Sequence, residues 1–166
     1  NRNIVEGRGG AYVRYKGAEN YIATFIEVAV DRSSGRIHVK RVVCTHDCGL
    51  VVNPDALRNQ IEGGIVQGLS RALHEEVQSD ESRVTSTDWN TYPILRFPEA
   101  PAVEVILVER REETLWGGGE ASTVPVAAAP RLPPARDRRG GHADTGGGGH
   151  RGAAARAGPW RSASTD

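Results

Sequence analysis

Two places in this chain combine residue types that could do chemistry. A carboxylate follows a run of glycines at Gly117-Gly118-Gly119-Glu120, and an amide, Gln60, stands just before Gly63, Gly64 and Gly68. The first puts an ionisable carboxylate between a side-chain-free loop and a helix start. Glycines let backbone come close to a ligand, and a helix N-terminus favours a negative group. The same residues also read as a mobile surface loop with a solvated glutamate. Gln60 can donate to and accept from a cofactor, or simply be a solvated helix position. Cys44, His46 and Cys48 alternate and are residue types that bind metals, but their spacing matches no finger pattern. They read as buried or loop side chains, and no metal site is expected.

The elements that position these groups are legible in the hydrophobic pattern. Residues 11–16 (AYVRYK), 21–30 (YIATFIEVAV) and 37–43 (IHVKRVV) alternate, and turn residues 31–35 (DRSSG) join the last two into a hairpin. Residues 46–53 read as a loop. Asn53 is a favoured N-cap and Pro54 fits the first helical position, where a missing N–H costs nothing. Leu57, Ile61, Ile65, Leu69 and Leu73 then recur every four residues, which predicts a helix with one apolar stripe. Each glycine inside it costs on the order of 1 kcal/mol, so something packs close to that backbone, either a sheet or a ligand. Residues 75–88 read as a polar surface excursion, 92–97 as extended, 102–108 as a strand and 110–114 as a charged linker. Residues 121–129 read as the first turns of an Ala-rich helix. The pattern is α+β: a mixed or antiparallel sheet with a hairpin and one long packing helix.

Composition divides the chain at residue 130. Residues 1–129 carry a net charge of −4 and residues 130–166 a net of +4, so the whole is neutral and shows no general pull toward nucleic acid. In the last 37 residues, 26 are Gly, Arg, Ala or Pro, too apolar-poor to build a core. That tail reads either as a disordered basic end or, preferred here, as out-of-frame translation of GC-rich DNA. No apolar run approaches the roughly 20 residues of a membrane span. The chain opens without Met and reads as a piece whose true start lies upstream.

Three ordered stretches carry a resemblance. They are Asp47-Cys48-Gly49-Leu50-Val51-Val52-Asn53-Pro54, then Asn59-Gln60-Ile61-Glu62-Gly63-Gly64-Ile65-Val66-Gln67-Gly68, and finally Gly117-Gly118-Gly119-Glu120. Over residues 5–129 the chain resembles the xanthine dehydrogenase/aldehyde oxidase family of molybdenum hydroxylases, in particular its bacterial isoquinoline 1-oxidoreductase β-subunit branch. The resemblance implies that residues 1–129 form the C-terminal part of a larger molybdopterin-binding domain. It implies that Gln60 hydrogen-bonds a molybdenum–molybdopterin cofactor (in the cytosine dinucleotide form), with Gly49 and Gly63 at the same pocket. Gly118 and Gly119 would keep side chains out of the substrate's path. Glu120 would be the general base of a hydroxylation that inserts a water-derived oxygen into an aldehyde or N-heterocycle. Held in a partly dry site, such a carboxylate can be tuned toward neutral pH. Further implied are [2Fe-2S] clusters on a small partner subunit, the remainder of the large subunit as a second partner, and no activity of this chain alone. Ala121 stands where the family often has Pro. The competing reading is a non-catalytic α+β module that binds another protein.

Overall fold

The structure, a computed structural model, describes residues 3–17 and 19–129. Four strands form one sheet in the order β1-β2-β3-β4: β1 (Ile4–Arg14), β2 (Tyr21–Asp31), β3 (Ile37–Asp47) and β4 (Ala102–Val108). The first three pair antiparallel and β4 pairs parallel to β3, so the sheet is mixed. A parallel pair needs a long crossover. Here it contains the helix α1 (Pro54–Leu73), whose start is capped by the Asn53 side chain accepting from the Ala56 N–H at 3.0 Å. The tail expected to be disordered or out of frame lies outside the described residues.

One face of the sheet and the apolar stripe of α1 make the core. Ile22, Ile26 and Val28 of β2 and Val42 and Cys44 of β3 meet Ile61, Ile65 and Leu69, all essentially without exposure. Leu57 and Leu73 at the ends of the stripe are half-buried. Burying each large aliphatic side chain contributes roughly 1.5–3 kcal/mol. Both cysteines are free.

Several boundaries depart from the sequence pattern. β1 begins at Ile4, because all eleven of its residues find partners on β2, glycines included. Lys16 leaves the strand for a 3-10 turn and has φ 52°. β3 runs on to Asp47, which puts Cys44 and His46 together on the buried face of one strand. Residues 92–96 form no strand: the Leu95 N–H donates to Ser70 Oγ at 3.0 Å, and a 3-10 turn (Phe97–Glu99) follows. After Glu120 the chain makes a 3-10 turn (Ala121–Thr123), then a turn closed by Ala128 and Ala129 N–H groups on the Pro125 carbonyl.

The helix glycines are explained by this last segment rather than by the sheet. A Cβ on Gly64 would lie 2.3 Å from Ser122 Oγ, and one on Gly68 would lie 3.1 Å from Val126 Cβ. Gly63 is exposed, with open space where a Cβ would stand. Thus two glycines admit the chain that follows Glu120, and the third leaves bare backbone facing outward.

Candidate active site

The glycine run is held at three consecutive residues by three different elements. Asn20, just before β2 and 2% exposed, donates its Nδ2–H to the Gly117 carbonyl at 2.8 Å. Gly118 lies against Leu57 and His46: a Cβ there would come 2.3 Å from Leu57 Cδ1 and 3.2 Å from His46 Cε1. Gln60, on the second turn of α1, donates its amide to the Gly119 carbonyl at 2.5 Å. Gly117 itself has φ 76°, a conformation that a side chain would strain. The loop is therefore a positioned segment and not a free surface excursion.

Glu120 follows at the edge of a shallow cleft of about 460 Å³ whose lining includes Tyr15, Lys16, Asn20, Trp116 and Gly119. The Lys16 ammonium lies 2.8 Å from Glu120 Oε1, and the Tyr15 hydroxyl donates to the same oxygen. The left-handed turn at Lys16 closes β1 and brings these two side chains, more than a hundred residues away in sequence, onto the carboxylate. Lys16 first, then Tyr15, holds the Glu120 carboxyl below the ordinary carboxylate range, and Glu120 in turn raises the Lys16 ammonium. The side chain is 66% exposed, and two donors stabilise its anion.

Gly49 has a packing role. Its φ is 78°, and a Cβ would fall 2.1 Å from the Thr114 carbonyl oxygen. The Trp116 N–H donates to the Cys48 carbonyl at 3.0 Å, so the loop after β3 braces the strand of chain that leads to Gly117. Arg110 reinforces that brace by pairing with Asp47 at 2.9 Å and Glu19 at 3.4 Å. Sequence reasoning missed Tyr15, Lys16, Asn20 and Arg110. A Tyr-Lys pair followed by Gly at a strand end was visible, but nothing local tied it to Glu120.

The family model of the molybdopterin cofactor-binding domain matches residues 6–101, more than half of the chain. The chain belongs to this family, within the xanthine dehydrogenase group. Over 133 residues this molybdopterin-binding chain is 44% identical to a nicotinate dehydrogenase component of Pseudomonas putida, covering 76% of the chain and 11% of that protein. It is 37% identical over 121 residues to the β-subunit of isoquinoline 1-oxidoreductase from Brevundimonas diminuta, covering 73% of the chain and 15% of that protein. Among solved structures it is similar to quinoline 2-oxidoreductase from Pseudomonas putida 86, with a TM-score of 0.60 and 26% identity over 66% of the chain and 14% of that one. The chain thus spans between a tenth and a sixth of the length of these relatives. The family is one of molybdenum-dependent oxidoreductases.

The residues present fit a molybdopterin group. Gln60 is exposed at one end of the cleft's glycine loop, and among the described residues no atom beyond the adjoining backbone comes within 4 Å of where side chains at Gly63, Gly117 or Gly119 would begin. Bare backbone beside a single amide can admit a flat, hydrogen-bonding ligand at close range.

Proposed function

We propose that this chain contributes the general base, Glu120, and one cofactor-holding amide, Gln60, to a molybdenum hydroxylase. The enzyme oxidises an aldehyde or an aromatic N-heterocycle, with oxygen drawn from water. The carrying observation is the placement of Glu120 at the cleft edge, one residue beyond the glycine that Gln60 holds at 2.5 Å. The names of the relatives, nicotinate dehydrogenase and isoquinoline 1-oxidoreductase, support the N-heterocycle class. When bound, the molybdenum cofactor, in its cytosine dinucleotide form, supplies the two-electron oxidation. A small partner subunit would hold [2Fe-2S] clusters able to accept those electrons. Because the chain spans so little of its relatives' length, the remaining cofactor contacts come from the rest of a large subunit, and the 166-residue chain alone does not turn over.

Within this chain the work divides by residue. Glu120 is ionised at neutral pH as an ordinary glutamate is; Lys16 and Tyr15 hold it through Oε1 and lower its basicity, and its other oxygen is left to accept a proton. Gln60 orients the ligand through its amide while fixing Gly119. Open space over Gly119 leaves the approach to the carboxylate clear. A loop held at three points favours this reading over a protein-binding module, which has no need of a positioned carboxylate.

The test is Glu120→Gln in the enzyme assembled with its cofactor and partners. The expected result is a fall in kcat of about 10²- to 10⁴-fold, the usual span for a general base, with molybdenum content unchanged. Near-normal turnover would refute the role.

A further inference from the structure

We infer that His46 and Asn20 form a buried strut that sets the position of Glu120, acting on it through the Gly117 carbonyl. The inference rests on the reading of Glu120 as the base only for its functional meaning, since the strut is a geometric claim about this chain.

The argument starts from hydrogen-bond roles. Asn20 Nδ2 donates to the Gly117 carbonyl at 2.8 Å, which fixes the amide's orientation. Its Oδ1 therefore faces His46 Nε2, 2.7 Å away, and can only accept. So Nε2 carries the proton, and the ring is the Nε2–H tautomer. Burial disfavours the imidazolium, with Asp47 opposing this more weakly, so Nδ1 is a bare acceptor. Nδ1 has no partner among the described residues, and the whole residue is 0% exposed. Leaving a buried acceptor unpaired forfeits the hydrogen bond it would make with water. An aliphatic side chain would fill this core position beside Val42 and Cys44 without that cost. What the imidazole adds is its one hydrogen bond, and that bond leads from β3 through Asn20 to the loop.

The strut has a second contact. The ring edge and Leu57 press on Gly118 from the core side, leaving no room for a Cβ. With Gln60 holding Gly119, the three residues before Glu120 are each fixed. His46 and Asn20 are thus positioning residues: neither touches the carboxylate, and neither lines the cleft with a titrating group.

The experiment reads two quantities in the full chain by NMR: backbone order parameters at residues 118–120 and the titration of the Glu120 carboxyl. Asn20→Asp keeps the acceptor for His46 Nε2–H and removes the donor to Gly117. Order parameters at the loop are expected to fall from the rigid range, about 0.85, to below about 0.6 while those of the β2–β3 pair stay unchanged. The Glu120 midpoint should move up as its two donors lose register. His46→Gln retains an N–H for Asn20 Oδ1 and should stay close to the wild type, whereas His46→Leu should behave like Asn20→Asp. A loop and a midpoint unmoved in folded Asn20→Asp or His46→Leu would overturn the strut. Should those variants fail to fold, the wild type decides. Its 118–120 backbone order parameters must stay above the flexible range, about 0.6, and values below it would overturn the strut. Turnover is not read, so a Glu120 shown to be non-catalytic leaves this result standing, and a loose loop sinks the strut alone.

Discussion

The contact between α1 and the segment after Glu120 can be tested by a pair of substitutions, Gly64→Ala and Ser122→Ala. In a helix interior, Ala is favoured over Gly by about 0.8–1 kcal/mol. At Gly64 the new methyl would stand 2.3 Å from Ser122 Oγ, more than an ångström inside ordinary contact. Ser122 is 0% exposed, so it has little room to turn away. Overpacking of this kind costs about 1–3 kcal/mol, which cancels or reverses the helix gain. Net destabilisation is then about 0–2 kcal/mol. Removing the hydroxyl changes the outcome. The next atoms are Thr123 Cγ2 at 3.5 Å and Ser122 Cβ at 3.6 Å, both ordinary contacts. In a Ser122→Ala background, Gly64→Ala should stabilise by the full helix term, giving a coupling energy of about 1–3 kcal/mol. Gly63→Ala, in open space, should stabilise in either background and serves as the control. Urea unfolding of the four combinations measures this directly. Additive effects, or equal gains at positions 63 and 64, would refute the packing of residues 121–123 on the helix.

Lys16→Met removes the first donor to Glu120, so the carboxyl midpoint should rise toward that of an ordinary glutamate. In the assembled enzyme the acid limb of the kcat/KM profile should move to higher pH with it, and an unmoved limb would exclude Lys16 from setting the base. The buried His46 makes stability itself depend on pH on the acid side. Its folded pKa is depressed below 6.5 by burial, so below that pH the unfolded chain binds more protons and stability falls as pH drops, until the folded pKa is reached. The stability difference between wild type and His46→Gln should be flat above about pH 6.5 and shrink below it, and a constant difference would contradict the neutral buried ring. Ile65→Ala should cost about 2–5 kcal/mol in urea unfolding, because Ile65 is 0% exposed at the centre of the helix–sheet contact. Val77→Ala, 66% exposed, should change stability by less than about 0.5 kcal/mol.

The amino-acid pattern by itself determined the hairpin of β2 and β3, the capped helix and its stripe, and the final strand. These are short-range features, set by alternation, turn residues and an N-cap that act within a few positions. It also marked Gln60 and Glu120 as the groups worth watching. Three things were decided only in three dimensions. The glycine-rich opening became strand because β2 offered it eleven partners. Gly64 and Gly68 proved to face the chain after Glu120 and not the sheet. And the surroundings of Glu120, with Lys16 and Tyr15 on the carboxylate and Asn20 and His46 behind the loop, join residues some 26 to 105 positions apart. A side chain's partner across such a distance depends on where strand register and helix packing deliver it, and no local rule carries that information. The same delivery set the ionisation of Glu120, because the donors that lower it arrive with the fold.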